Sequence, residues 1–220
     1  MQAGQPPLVI PIRAGLLSEE GRQLLEDQVL LLTELEQSFV FDLPSHKGKS
    51  EPIASLLRGF SAPVQLGQGL SAKALQSLAA HDTDAFNRWE ACQRLMLAQL
   101  MPEATTAEER EGLMQTLLRL ADDPALSDGF KLLCLTPPSE ALVAEHWCSE
   151  GHAIDPSAIR RRLEALRLAM ALALEPVMKP LDAQVDTTER AKYYQPSGPA
   201  AGRRAFQHLA QWLLTLLSPT

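Results

Sequence analysis

The chain has 220 residues, of which 45% are hydrophobic and 21% are charged, and its formal net charge is −7. This negative charge argues against binding to a nucleic-acid backbone, which requires a clustered cationic surface. No apolar run is long enough to cross a bilayer, and the N-terminus lacks a basic segment followed by an apolar core. We therefore expect a soluble, cytoplasmic protein without an export signal and without a membrane partner.

The first 67 residues carry the period-two pattern of β-strands. Large hydrophobic residues recur at every second position: Leu8, Ile10 and Ile12 point one way, and Phe39, Phe41 and Leu43 do the same within Gln37–Leu43, as expected for half-buried strands. Ser18–Gly21 predicts a hairpin turn, because glycine can take positive φ there. Proline cannot donate to a ladder, so the strand of Pro11 should be an edge strand or carry a bulge. About five short strands are expected, which suits part of an antiparallel β-sandwich.

After Gly67 the hydrophobic period becomes helical, and seven or so helices with short connections are predicted. Thr106–Glu109 has the pattern of a capping box, and Asp155 should cap a helix whose first position is Pro156. We expect Pro176 and Pro180 to kink or end that helix and Gln195–Pro199 to form a break. The other predicted helices are Ser71–Ala80, Asp84–Leu100, Ser127–Leu135, Ser139–Cys148 and Ala200–Leu217.

The domain prediction follows from this change of period. It places a partial β-sandwich at residues 1–67 and an incomplete α-helical domain, a solenoid-like stack of helices, at residues 68–220. The fold class is therefore α+β in two parts. Cys92, Cys134 and Cys148 are widely spaced and odd in number, so free, buried thiols in a reducing compartment are expected.

His81, Asp82 and Asp84 are the first candidates for a metal or acid–base site. Their spacing does not match two histidines four apart on a helix with a glutamate between them, since residue 85 is alanine. We favour the interpretation that Asp82, Thr83 or Asp84 caps the following helix.

A second group of candidates is His146, Cys148 and His152, all of which could bind a metal. They do not form an i, i+4 pair, Gly151 should break the helix between them, and no fourth ligand is evident. Ordinary packing at a helix end is favoured over metal binding.

The remaining candidates are basic. Arg88 could bind a carboxylate, such as a peptide terminus, through its bidentate fork, but a structural salt bridge or an interdomain contact is favoured. Arg160–Arg162 spread around most of a helix, with Glu164 able to pair with Arg160, so a solvated face is favoured over anion binding. The same interpretation applies to Arg203 and Arg204.

Two segments together resemble a known family. The segment His81–Leu95, above all Asp84–Glu90 (Asp-Ala-Phe-Asn-Arg-Trp-Glu), and the segment Ser55–Leu66 closely resemble the C-terminal half of bacterial aminopeptidase N, a zinc enzyme of the gluzincin class. Weaker likenesses extend the resemblance over most of the chain; they lie at Val9–Leu17, Gln37–Leu43, Ala153–Ile159 and Ala200–Ala205.

The resemblance implies a position after the catalytic domain. The sequence lacks the family's H-E-x-x-H motif, its downstream glutamate ligand and its Gly-x-Met-Glu-Asn substrate loop. We therefore predict no catalytic, cofactor-binding or metal-ligating residue in this chain, with zinc bound elsewhere in a longer parent enzyme. The resemblance further implies a linking β-sandwich and part of a helical domain that walls the peptide-access chamber, with the catalytic domain as partner and peptides reached only through it.

Two other functions are kept as alternatives. One is a stand-alone helical-repeat module that presents a concave face to a peptide or a partner protein. The other is a small hydrolase using His81 with Asp82 or Asp84. A sandwich without its first strands should also expose a β edge, so we predict self-association through the β part or disorder near residues 1–8.

Overall fold

A three-stranded antiparallel sheet lies near the N-terminus of the computed structural model, which describes residues 8–43, 50–64, 66–67, 69–103, 105–183 and 197–218. Its strands are β1 (Ile10–Leu17), β2 (Gln23–Leu32) and β3 (Ile53–Leu56), in the order β2-β1-β3. In the register, Ile12 faces Leu30 on β2, and Leu16 faces both Leu25 and Ala54.

The turn between β1 and β2 has the predicted form. The main-chain N–H of Ser18 donates to the carbonyl of Arg22 at 2.9 Å, and that of Gly21 donates to the carbonyl of Ser18 at 3.0 Å. Gly21 has a φ of +80°, which glycine adopts without the steric penalty of a Cβ. The hairpin predicted at Ser18–Gly21 is confirmed.

Pro11 lies on the middle strand, where the sequence predicted either an edge strand or a bulge. β3 pairs only with the far half of β1, from Ala14 to Leu17, and the β1–β2 register shifts on either side of Leu16. Beside Pro11 the side chain of Ser61 takes the place of a third strand: its hydroxyl accepts from the N–H of Arg13 at 2.9 Å and donates to the Pro11 carbonyl at 3.1 Å. Pro11 therefore lies at a position where the lack of an N–H donor interrupts no hydrogen bond between strands.

Two of the predicted strand segments differ from the structure. Gln37–Leu43 keeps its alternation, because Phe39 and Phe41 are half-buried between exposed neighbours, but it forms no strand. Only the first residues of Ser55–Leu66 belong to a strand, after which the chain enters a 3-10 turn at Arg58–Phe60. Alternation reports one buried face, whereas a strand also needs a ladder partner, and the described residues contain three strands rather than five.

Seven α-helices follow in the described part of the chain. Serine or threonine side chains cap five of them. One of these caps is the predicted capping box, in which the Thr106 hydroxyl and the Glu109 carboxylate each accept from the other residue's main-chain N–H. None of these helices is long and apolar enough to span a bilayer, as far as the described residues show. The helices are α1 (Ala72–His81), α2 (Ala85–Leu100), α3 (Ala107–Asp122), α4 (Asp128–Leu135), α5 (Glu140–Ser149), α6 (Pro156–Ala183) and α7 (Gly198–Thr215).

Pro176 and Pro180 do not end their helix, because α6 continues to Ala183; a kink at these residues stays a prediction. Both prolines and Leu172 are exposed and share one face of the helix, since they are four residues apart. The carbonyls that lose a donor therefore lie on the solvent side, where water can satisfy them. On the opposite face Leu174 and Met178 are fully buried, and their burial stabilises the continuous helix.

The chain divides into two units, Met1–Ala91 and Cys92–Thr220. In the second unit, α6 packs against α3, α5 and α7, and α4 packs against α7. Its interior is mainly aliphatic, with the buried rings of Trp147 and Phe206, and burial of these side chains removes apolar surface from water. The fully buried members are Met96, Leu100, Leu113, Leu117, Leu120, Leu135, Ile159, Leu163, Met170, Leu174, Met178 and Leu213.

Candidate functional site

A buried arginine lies at the centre of the polar contacts in the first unit. The guanidinium of Arg58 has 2% of its side-chain surface exposed and pairs with Asp82, whose carboxylate is fully buried, at 2.8 Å. It also donates to Asp27 and to the hydroxyl of Thr83. Asp27 in turn pairs with the half-exposed Arg13 at 2.8 Å. We call these five side chains the Arg58 cluster.

The backbone around Arg58 is strained. Leu57, Gly59 and Phe60 have φ values of +57°, +62° and +54°, and two of these residues carry a Cβ that disfavours this region. Such conformations cost about 1–3 kcal/mol each and persist only where surrounding contacts over-determine them. Here the contacts of the buried Arg58 and the bond from the Gly59 N–H to the Asp84 carboxylate, at 2.8 Å, hold the turn.

Of the three residues that the sequence offered as a cap for the following helix, Asp84 is the one that caps it. The Asp84 carboxylate accepts from the N–H of Asn87 at 3.0 Å and so caps α2, while its second oxygen binds Gly59. Asp82 accepts from the N–H of Asp84 at 2.9 Å and carries the ion pair with Arg58. His81 is exposed at the end of α1, beside the turn that contains Gly21.

Asn87 and two aromatic rings complete the contact between the two segments that carry the family resemblance. The amide of Asn87 donates to the Ser55 hydroxyl at 2.7 Å and to the Leu56 carbonyl at 3.0 Å. Phe86 lies between Phe60 and Trp89, with ring centres 5.3 Å and 5.7 Å apart. The segments Ser55–Phe60 and Asp82–Trp89 therefore interlock through an ion pair, a helix cap, an amide and a row of aromatic rings.

Arg88, which the sequence offered as a possible carboxylate ligand, contacts the end of α1. Its guanidinium donates to the carbonyls of Ala79 and Ala80, at 3.0 Å and 3.2 Å. These are the last turn of α1, where carbonyls have no helical donor and a cation complements the helix dipole. Arg88 thus joins α1 to α2.

Sequence reasoning did not identify Arg58 or Asp27 as members of this cluster. Their partners lie 24 and 31 residues away along the chain, so no local spacing reveals the pairing. The available signal was Gly15, since a Cβ on that strand residue would lie 2.5 Å from the Arg58 guanidinium. A glycine inside a strand commonly marks such a close approach.

His146, Cys148 and His152 are not brought together as ligands. His152 pairs with Glu103 at 3.0 Å, and Cys148 is exposed, so the expectation that all three cysteines are buried is wrong for this residue. Cys148 falls on the outer face of α5, whose inner face is formed by Val143 and Trp147. No group of three or more potential metal ligands occurs among the residues that the structure describes.

The basic runs behave in two ways. Arg160 pairs with Glu164 at 3.1 Å on the exposed face of α6, as the spacing indicated, and Arg203 pairs with Asp128 at 3.4 Å. Arg162 differs from its neighbours: it donates to the Pro102 carbonyl at 2.8 Å and lies 6.0 Å from the centre of the Trp147 ring. Arg162 therefore forms part of the wall of a cleft rather than part of a solvated face.

That wall belongs to a cleft of about 440 Å³ in the second unit, which we call the α3–α6 cleft. It lies between the first half of α3, the middle of α6 and the loop that joins α2 to α3. Its volume is within the range of small-molecule sites, roughly 300–1,000 Å³. Sequence patterns alone did not indicate it.

Comparison with known proteins assigns this architecture to a family. Residues 1–69 match the model described as "Domain of unknown function (DUF3458) Ig-like fold", and residues 72–220 match "Domain of unknown function (DUF3458_C) ARM repeats". The chain is therefore a member of this DUF3458 family, with an Ig-like part followed by an ARM-repeat helical part. The predicted two-part α+β fold is confirmed.

The curated relatives are aminopeptidases N. The chain is 34% identical over 198 residues to the enzyme of Caulobacter vibrioides, covering 88% of the chain and 22% of that protein. It is 32% identical over 190 residues to the enzyme of Escherichia coli K12, covering 79% and 20%. The chain thus spans about a fifth of the length of these relatives, and its predicted correspondence to a C-terminal segment of aminopeptidase N is confirmed.

A solved structure has the same fold. The crystal structure of Legionella pneumophila aminopeptidase A in complex with aspartic acid superposes with a TM-score of 0.75 at 23% identity, covering 95% of this chain and 24% of that one. At this identity the likeness supports the fold alone.

Proposed function

We propose that this chain is the non-catalytic C-terminal portion of a cytoplasmic, zinc-dependent aminopeptidase, in which it forms a wall of the chamber through which peptides reach the catalytic domain. The observation that carries the proposal is the match of nearly the whole chain to one fifth of aminopeptidase N, in a sequence without an H-E-x-x-H motif. Zinc would be held by residues outside this chain, and the catalytic domain would be its partner.

The residues support an architectural role. The polar contacts of the Arg58 cluster and of Asp84 and Asn87 are made with other groups of the same segments and hold the turn at Arg58–Phe60 against α1 and α2. Buried cationic and anionic groups that are paired in this way stabilise one arrangement of the chain rather than activate a substrate. The buried, unbridged thiols of Cys92 and Cys134 agree with a reducing compartment.

A hydrolysis assay combined with a zinc measurement tests the proposal. The purified chain should hydrolyse aminoacyl arylamides no faster than a buffer blank and should contain no stoichiometric zinc. A matched control is the chain His81→Ala, which should behave identically, since His81 has no catalytic role. Robust turnover with bound zinc in the purified chain, or turnover lost in the His81 variant, would contradict the proposal.

A segment exchange tests the chamber role itself. The 190 matched residues of the Escherichia coli aminopeptidase N are replaced by those of this chain. We expect the chimera to hydrolyse a short aminoacyl arylamide and to keep the ratio of rates on short and long peptides that the unaltered enzyme shows, whereas deletion of the segment should change that length discrimination or abolish the activity. Equal length discrimination with and without the segment would contradict the role.

The stand-alone interaction module is the second candidate, and the ARM-repeat match favours it as well as the first. Stacked helical repeats serve as binding surfaces in many proteins. The two candidates differ in the coding sequence that precedes Met1. An in-frame H-E-x-x-H segment supports the aminopeptidase, and a stop codon directly upstream supports the module.

A further inference from the structure

The α3–α6 cleft has a basic end. Arg162 of α6 donates to the Pro102 carbonyl, and Arg110 of α3 donates to the carbonyl and hydroxyl of Thr105, so both guanidinium groups converge on the same short loop between α2 and α3. Trp147 supports Arg162 from a further side. Two anchored guanidinium groups, each with five N–H donors of which the loop uses few, form a preorganised receptor for a carboxylate.

The walls beyond the arginines are apolar. On α3 the apolar lining residue Met114 lies one turn after Arg110. On α6 the apolar lining residues Ala165, Leu166 and Ala169 lie within two turns after Arg162. Ala165 and Ala169 are four residues apart, so they lie on one face and their small side chains leave the space open. This part of the cleft suits an aliphatic side chain.

Two carboxylates also line the cleft, so it does not suit a simple carboxylic acid. Glu111 accepts from the amide of Gln115 at 3.0 Å, and Glu103 pairs with His152 at 3.0 Å while 62% of its side chain is exposed. Both groups retain capacity for a further donor, because an ionised carboxylate accepts through two oxygens. An ammonium group beside these carboxylates would complement them, as a carboxylate complements the arginines.

We infer that the α3–α6 cleft binds an apolar amino acid or a short apolar peptide through its ammonium group, its carboxylate and one aliphatic side chain. The arginines at the α2–α3 loop take the carboxylate, the walls of α3 and α6 take the side chain, and Glu111 or Glu103 takes the ammonium. The inference does not depend on the proposed function, because binding is measured on the chain itself.

The experiment titrates the full chain with four matched probes, followed by ligand-detected NMR or calorimetry. Leucine and the dipeptide Leu-Leu carry both charges, leucinamide lacks the carboxylate, and 4-methylpentanoate lacks the ammonium. Leucine or Leu-Leu should bind saturably, and each single-charge analogue should bind about tenfold more weakly or worse, the equivalent of about 1.4 kcal/mol. Tighter binding of leucine identifies a free amino acid as the ligand, and tighter binding of Leu-Leu identifies a peptide.

Three variants locate the site. Arg110→Gln should weaken binding by about tenfold, the loss of one charge-assisted contact. Ala169→Leu should weaken it by filling the apolar part without changing any charge. The control is Arg160→Gln on the exposed face of α6, where the arginine is 71% exposed and pairs with Glu164; it should leave binding unchanged. Arg162 is a less suitable position, since its contacts with Pro102 and Trp147 also stabilise the helices.

The inference is overturned by any of three results: no saturable binding of leucine or Leu-Leu, equal binding of a single-charge analogue, or unchanged binding in both Arg110→Gln and Ala169→Leu. Equal weakening in Arg160→Gln would also overturn it, because the effect would then be a general one of net charge. Circular dichroism of each variant shows whether a loss of binding reflects a loss of fold.

Discussion

Arg58 illustrates how one buried charge organises its surroundings. A guanidinium removed from water is tolerated only where anionic and polar partners replace its hydration, and here Asp82, Asp27 and Thr83 do so. Within the described residues the Nε of Arg58 and one oxygen of Asp82 still have no hydrogen-bond partner. The Arg58 cluster therefore fixes one arrangement of its segments, although two of its buried polar atoms lack a hydrogen-bond partner in this part of the chain.

Replacement of Arg58 by methionine tests whether the buried ion pair stabilises the fold. Arg58→Met keeps much of the side-chain volume but leaves the fully buried carboxylate of Asp82 without its cation, so we expect the free energy of unfolding to fall by about 3–5 kcal/mol. Denaturant unfolding followed by fluorescence measures the change. Arg13→Met is the control, because Arg13 is 49% exposed in its pair with Asp27, and it should cost about 1 kcal/mol or less. Equal losses in both variants would contradict a special role for the buried pair.

Glu109 provides a pH-dependent prediction. The N–H of Thr106 donates to its carboxylate at 2.8 Å, and this bond, assisted by the Thr106 hydroxyl, lowers the pKa of Glu109 below its ordinary value of 4.5. A lowered folded-state pKa means that the stabilisation is present above pH 4.5 and is lost as the pH falls through the lowered value.

The measurement compares the stability of the chain with that of Glu109→Ala at several pH values. The native chain should be the more stable of the two at pH 7, and the difference should shrink as the pH falls below 4.5 and through the lowered pKa of the Glu109 carboxylate. Glu108→Ala, one residue away in the same first turn, is the matched control, since it removes a carboxylate but leaves both residues of the capping box in place. A difference that stays constant over this pH range would contradict the capping role of the carboxylate.

At the scale of elements, the close approach of α4 and α7 depends on two glycines. A Cβ built on Gly202 of α7 would lie 2.9 Å from the main-chain nitrogen of Gly129 and 3.1 Å from its Cα. Backbone atoms cannot move aside as the end of a flexible side chain can, so the helix pair itself would have to separate.

Gly202→Ala should therefore destabilise the helical unit by about 1–3 kcal/mol, the usual effect of overpacking, although alanine is the better helix former. Thermal unfolding followed by circular dichroism measures this. Gly198→Ala at the start of the same helix, where a Cβ meets nothing within 4 Å, is the control and should be neutral or slightly stabilising. A neutral Gly202→Ala would show that the helices can move apart without loss.

At the scale of the whole molecule, the sheet leaves apolar surface exposed. β2 is an outer strand of the described sheet, and its Val29 and Leu31 are 62% and 51% exposed. Exposed outer strands with apolar side chains pair readily with other chains. The segment near residues 1–8, for which disorder was predicted, lies almost entirely outside the described residues.

We predict that the isolated chain self-associates through this strand. Multi-angle light scattering at increasing concentration should show a mass above that of the monomer, 24.1 kDa. The double variant Val29→Lys, Leu31→Lys should return the mass to that of the monomer, while Leu172→Lys, at a 59% exposed position on α6, should not. A monomer at all concentrations would contradict the prediction.

The sequence by itself determined the local features of this protein. Caps, the hairpin turn, the capping box and the buried faces of α3 and α6 follow from interactions within a few residues, and the predicted helices lie within one or two residues of those observed except where α6 passes through Pro176 and Pro180. The segments Ser55–Leu66 and Asp84–Glu90 also pointed to the family, and the comparisons confirm it. The boundary predicted after residue 67 stays a prediction.

Only the tertiary structure decided what depends on groups distant along the chain. It brought Arg58 to Asp27 and Asp82, left Gln37–Leu43 without a ladder partner, exposed Cys148 on the outer face of α5, and brought Arg162 to the loop between α2 and α3 to form a cleft. The physical reason is that periodicity reports which face of a segment is buried but not what buries it. A partner that lies 24 to 60 residues away leaves no local pattern in the sequence.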